Sequence, residues 1–161
     1  MTSLAIIGYG NIGKVHLANL RTLRGCRVAG VYDVRGGDGV TYDALDAIWT
    51  DSGVQAVVIA TPTDSHASLT EQALAADKHV FVEKPLAGTL ADAQRIVDAA
   101  RAHEGLVVQA GFCERFNMNY LEAKRAVSQG LLGDVRAIQT SRVAPYGFSD
   151  PAWELGVLDT A

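Results

Sequence analysis

The sequence predicts an α/β fold, a doubly wound parallel sheet followed by the beginning of an incomplete α+β second domain. Three observations predict it. Five short, continuously apolar, β-branched runs recur through the first 111 residues, longer amphipathic stretches separate them, and that texture stops after Gly111. Short runs without alternation suit interior parallel strands buried on both faces, and parallel neighbours need long crossovers between them.

The first run is Leu4-Ala5-Ile6-Ile7, and residues 11–23 carry helical spacing up to the second, Val28-Ala29-Gly30-Val31-Tyr32. The next connection differs. Val34-Arg35-Gly36-Gly37-Asp38-Gly39-Val40 has three glycines and no helical pattern, so a loop is expected there, with residues 42–51 as the single helix linking strands two and three. Ala56-Val57-Val58-Ile59-Ala60, His79-Val80-Phe81-Val82 and Leu106-Val107-Val108-Gln109-Ala110 supply the remaining strands, with residues 64–76 and 90–103 as crossovers. Thr89 is the N-cap expected for the last of these, and Gly105 lies just past its end.

Beyond Gly111, residues 117–129 read as a helix ended by Gly130, and residues 134–143 as a long strand of alternating character. Residues 144–161 hold Pro145, Pro151, Trp153 and the apolar Gly156-Val157-Leu158. One strand and a loop cannot bury a face of their own. The expected division is therefore a first domain over residues 1–115 and the start of a second, truncated one over 116–161.

Composition excludes several functions. The chain has 161 residues, 14 Lys and Arg against 18 Asp and Glu, and a net charge of −4. Its arginines are scattered singly (Arg21, Arg24, Arg27, Arg35), without the continuous basic footprint a nucleic acid partner needs. No apolar run approaches the roughly 18 residues of a spanning helix. No Lys or Arg precedes Lys14, so neither a membrane nor secretion is expected, and a cytoplasmic location is. Cys26 and Cys113 lie 87 positions apart, which supports neither a disulfide framework nor a zinc site. Cys113 reads as a small buried hydrophobe, Trp49 and Trp153 as packing anchors, and His16, His79 and His103 as residues without a role. No His, Asp and Glu cluster has metal-ligand spacing.

The chemistry begins with Gly8-Tyr9-Gly10-Asn11-Ile12-Gly13, a G-x-G-x-x-G between a predicted strand and a predicted helix. Its first glycine permits the tight turn, its second lets a pyrophosphate approach, and its third lets the helix pack closely with its N-terminus toward the phosphates. The string alone is weak evidence. Asp33, however, ends the second strand 20 residues after Gly13, where a carboxylate accepts hydrogen bonds from the adenosine ribose. Together they predict a Rossmann-type domain that binds NAD. Asp33 repels a 2′-phosphate and so favours NAD over NADP, while Arg35 is either a counter-charge that softens the preference or a solvated loop arginine.

Two further stretches fall at the carboxyl ends of predicted strands, where ligands bind in such folds. Ala60-Thr61-Pro62-Thr63-Asp64-Ser65-His66 closes strand three; Thr63 or Asp64 is equally explicable as a plain N-cap, and His66 as a first-turn surface histidine. Glu83-Lys84-Pro85 closes strand four. A lysine beside a cationic nicotinamide yields its proton more readily and can shuttle one to or from a substrate hydroxyl. A surface ion pair with Glu83 or another acid is the alternative.

These motifs occur in the order and spacing of the Gfo/Idh/MocA oxidoreductases, together with Leu86 and Gly111-Phe112-Cys113-Glu114-Arg115-Phe116. The chain resembles that family over nearly its whole length, and Glu-Lys-Pro in this setting is far more specific than the glycine string. The resemblance implies a nucleotide-binding domain followed by a second domain on a large open sheet. It also implies that Lys84 lies near the nicotinamide and assists catalysis. Gly8, Gly10, Asn11, Ile12, Gly13, Asp33 and Arg35 are the expected cofactor-loop contacts, Thr61, Pro62, His66 and Glu83 line the cleft, and Arg115 lies near it.

There are two departures. Met118 stands where the family usually has Pro ahead of a helix. Asp159 matches the acid of a catalytic Asp-x-x-x-His pattern whose histidine would fall two residues past Ala161, so the sequence resembles roughly the first half of a family member. The function implied is NAD(P)-dependent hydride transfer between a nicotinamide and a hydroxyl of a sugar, cyclitol or related polyol. The alternative is a non-catalytic NAD(P)-binding module or an inactive fragment of such an enzyme. A completed second-domain sheet would offer a surface for a homo-oligomer.

Overall fold

Five strands form one parallel sheet in the order β2-β1-β3-β4-β5. The structure, a computed structural model, describes residues 1–141. The strands are β1 Thr2–Ile7, β2 Cys26–Tyr32, β3 Ala56–Ile59, β4 His79–Val82 and β5 Val108–Ala110. The helices are α1 Asn11–Leu20, α2 Leu45–Thr50, α3 His66–Ala75, α4 Leu90–Ala102 and α5 Met118–Ser128. Every strand and helix expected through residue 130 is present, with ends displaced by a few residues.

The two-residue period of the strands sorts their side chains between two cores. Ala5 and Ile7 of β1, Val57 and Ile59 of β3, and Val80 and Val82 of β4 pack with Ile48 of α2 and Leu69, Ala73 and Leu74 of α3. Ile6 and Val58 face the other way, onto Val31 and Leu17 of α1. Continuous apolarity in these strands thus serves two helical layers at once. Ile48 and Leu74 are fully buried, and each contributes about 1.5–3 kcal/mol by leaving water.

Two local expectations are refined. The helix read over residues 42–51 begins only at Leu45, because the Thr41 and Tyr42 N–H groups both donate to the Val31 carbonyl and hold the chain against the edge of β2. The helix read over residues 64–76 opens as a 3-10 turn at Thr63–Ser65 before α3 begins at His66. The loop expected over residues 34–40 contains no helix or strand. Thr89 caps α4 through its hydroxyl oxygen, which accepts the Asp92 N–H at 3.1 Å.

The chain divides into two compact units, Met1–Gly111 and Phe112–Ala161. In the second, Asn117 caps α5 by accepting the Asn119 N–H at 3.0 Å. The strand expected over residues 134–143 does not form in its described part, residues 134–141, which lie exposed. No second sheet exists among the described residues for it to pair with, and an unpaired strand has no ladder to hold it. Cys113, expected to be buried, is exposed in the 3-10 turn Cys113–Phe116. Trp153, Asp159 and the rest of residues 142–161 lie outside the described residues. No helix among those described is long and apolar enough to cross a membrane.

Candidate functional site

Sheet register gathers the motifs. Ile7 pairs with Tyr32 and with Ile59, Ile59 with Val82, and Val82 with Ala110. The segments that follow these residues therefore leave the sheet in one row along its carboxyl edge. The chain runs from β1 outward to β2 and then returns past β1 to β3, and it is outside the carboxyl ends of the strands at such a reversal that ligands bind in open α/β sheets.

The glycine turn follows β1. Gly8 adopts φ +97°, and a Cβ on it would lie 2.6 Å from the Ala60 carbonyl oxygen, so this turn packs directly on the loop after β3. A Cβ on Gly13 would collide with the Gly8 carbonyl, so only glycine lets α1 start this close to the turn. Gly10 is different. It is the N-cap of α1, and a Cβ there would meet no protein atom within 4 Å. No side chain caps this helix and its first turn holds no acid, which leaves the N–H groups of Asn11, Ile12 and Gly13 as donors without intrahelical partners. This cradle fits the pyrophosphate of a dinucleotide.

Asp33 comes directly after β2. Its Oδ2 accepts the Tyr9 N–H at 2.7 Å, and its Oδ1 accepts the Arg35 N–H at 2.9 Å and Nε at 3.2 Å. Burial pushes this carboxyl up, but the donors from Tyr9 and Arg35 and the nearby guanidinium outweigh it and hold the pKa at about 2. A carboxylate offers about four lone-pair sites. One remains for a ribose hydroxyl. Arg35 shows both features expected of it: its side chain is 75% exposed, and its Nε pairs with Asp33.

After β3, the Thr61 and Ser65 hydroxyl oxygens lie 2.6 Å apart, and Ser65 Oγ donates to the Pro62 carbonyl at 2.8 Å. Neither Thr63 nor Asp64 serves as a side-chain N-cap; Ser65 occupies that position at α3 without a side-chain cap bond. His66 is not a surface histidine. It is 1% exposed, with Nδ1 2.9 Å from the Pro85 carbonyl oxygen and Nε2 3.0 Å from that of Thr61. Its ring ties the loop after β3 to the loop after β4.

The Glu83-Lys84-Pro85 turn follows β4, and its Lys84-Pro85 bond is cis. Glu83 is still on the sheet through its N–H to the Ile59 carbonyl at 2.9 Å. Burial raises the Glu83 pKa, yet the hydrogen bond with His16, the Lys84 N–H and the charges of both residues together bring it below its ordinary value. His16, expected to have no role, lies 2.7 Å from Glu83 Oε1. Its only sequence signal is its place three residues after Gly13, on the first turns of the helix that starts at the cradle. Arg115 belongs to the other unit, where its guanidinium lies over the Phe112 ring at 6.0 Å.

Residues 2–112 match the Gfo/Idh/MocA family, an oxidoreductase family with an NAD-binding Rossmann fold. The chain belongs to this family. Inositol 2-dehydrogenase of Salmonella paratyphi B is 34% identical over 140 residues, 80% of this chain and 42% of that protein. Inositol 2-dehydrogenase 1 of Saccharopolyspora erythraea is 39% identical over 144 residues, 81% of this chain and 42% of that protein. Among solved structures, scyllo-inositol dehydrogenase of Lactobacillus casei with bound NAD(H) and scyllo-inositol superposes with a TM-score of 0.74 at 30% identity, covering 83% of this chain and 42% of the other. This Gfo/Idh/MocA chain therefore spans less than half the length of the relatives it matches.

Proposed function

We propose that the chain binds NAD along the carboxyl edge of its sheet and presents Lys84 for hydride transfer between the nicotinamide and a hydroxyl of a cyclitol, sugar or related polyol. One observation carries the reading: the glycine cradle, the Asp33 carboxylate and the Glu83-Lys84-Pro85 turn leave the sheet in one row, in the register of Tyr32, Ile7, Ile59 and Val82. The cofactor supplies the hydride acceptor. Asn11, Ile12 and Gly13 hold its pyrophosphate through their N–H groups. Asp33 takes the adenosine ribose, and its persistent charge disfavours a 2′-phosphate, so the preference is for NAD over NADP. Thr61 and Pro62 form the wall opposite the cradle.

Lys84 holds the proton that leaves the substrate hydroxyl as the carbon gives up its hydride. A base within hydrogen-bond reach contributes typically about 10²–10⁴-fold. Residues 1–115 serve as the cofactor domain in this reading, and residues 116–161, which carry Asp159, begin a substrate domain. The inositol dehydrogenase names of the relatives support a cyclitol as substrate.

The test follows NADH formation from NAD with myo-inositol and scyllo-inositol as probes, for the wild type and Lys84→Met. Turnover that falls about 100-fold or more in the variant, with NADH affinity within threefold of wild type, supports the assignment. Equal turnover in both removes Lys84 from it, and NADH binding without turnover on either polyol identifies an NAD-binding module instead.

A further inference from the structure

We propose that His16 is a positioning residue for Lys84, acting through the Glu83 carboxylate. Three links connect them. His16 Nε2 lies 2.7 Å from Glu83 Oε1, and the opposite oxygen, Oε2, accepts the Lys84 backbone N–H at 2.9 Å. The imidazole is itself held, meeting Phe81 of β4 edge-on with ring centroids 5.3 Å apart and planes at 69°. One side-chain carboxylate therefore joins α1, the helix that opens at the glycine cradle, to the first peptide beyond β4.

The placement explains why these groups occur together. β4 ends at Val82, and the sheet holds the backbone as far as the Glu83 N–H. At Lys84 the N–H is taken by a side chain, so the direction in which the turn leaves the sheet depends on where the Glu83 carboxylate stands. That carboxylate is half-buried, at 17% side-chain exposure, and a rotation away from His16 would leave an ionised oxygen without a partner. His16 thus couples the helix at the pyrophosphate cradle to the residue that works at the nicotinamide, and the two ends of the cofactor site are set by one chain of hydrogen bonds. His66 holds the same turn one residue further on, through the Pro85 carbonyl.

This inference rests on the reading of Lys84 as the proton-transfer residue, and its test is independent of cofactor. Amide hydrogen exchange is measured by NMR on the cofactor-free 161-residue chain. His16→Phe keeps a ring against Phe81 and removes the nitrogen; His16→Gln keeps a donor near the position of Nε2. The expected result is exchange of the Lys84 N–H about tenfold faster in His16→Phe and within about twofold of wild type in His16→Gln, with the Val58 and Val82 amides unchanged in both. Unchanged Lys84 exchange in His16→Phe overturns the proposal, and so does acceleration shared equally by Val58 and Val82, which would mark His16 as a general stabiliser of the sheet. NADH titration of the wild type reports separately on the cofactor reading. Failure there with the local Lys84 effect intact would remove the cofactor reading and leave the His16–Glu83–Lys84 tether as a structural one, whereas NADH binding without the local effect would overturn the positioning role alone.

Discussion

The Tyr9 N–H donates to Asp33 Oδ2 at 2.7 Å, bridging 24 positions of sequence. This bond fastens the glycine turn after β1 to the end of β2, so the groups that would hold the pyrophosphate and the adenosine ribose form one unit before any ligand arrives. Preorganisation of that kind lowers the ordering cost of binding.

The bond also makes stability depend on pH with a defined sign. The folded pKa of Asp33, about 2, is below the ordinary 3.8, so its contribution is complete above the ordinary value and is lost as pH falls through 2. Thermal unfolding of the wild type and Asp33→Asn should differ most above about pH 5 and converge toward pH 2. A gap that stays constant over that range contradicts the assignment.

Gly10 and Gly13 should separate binding from folding. A Cβ at Gly10 meets no protein atom, so Gly10→Ala should unfold within about 0.5 kcal/mol of wild type while losing NADH affinity by tenfold or more, because the methyl group projects where the pyrophosphate must approach. Gly13→Ala drives a methyl group into the Gly8 carbonyl and should cost at least about 1–3 kcal/mol of stability in urea denaturation. Equal stability losses in the two variants would show that Gly10 is held by packing.

His66 is a structural clamp with a measurable cost. His66→Ala removes a fully buried ring and leaves whichever of the Thr61 and Pro85 carbonyls its N–H serves short of a donor, and should destabilise by about 3 kcal/mol. His66→Phe refills the volume without the ring N–H and should fall between. A loss below about 0.5 kcal/mol for His66→Ala in urea denaturation contradicts the clamp.

Much of this was legible because the signals are local. Five apolar runs mark five strands, and Thr89 marks the start of α4 by its capping oxygen. The G-x-G-x-x-G string and Asp33 also yield their own geometry, since glycine and a strand-end carboxylate act where they stand. What sequence left hidden depends on long-range contacts. His16 meets Glu83 across 67 positions, and His66 meets Pro85 across 19, so neither partnership has a spacing rule to reveal it. The helical spacing over residues 42–51 overstates α2, because Thr41 and Tyr42 bond to Val31 instead. Alternation over residues 134–143 resembles a strand, but alternation alone supplies no partner.

The most direct test of the account is titration of the chain with NADH and NADPH, followed by energy transfer from its tryptophans, for the wild type and Asp33→Ala. The account predicts saturable NADH binding, at least about tenfold tighter than NADPH, with that preference lost in the variant. Binding of neither nucleotide, or a preference for NADPH that survives Asp33→Ala, would contradict it.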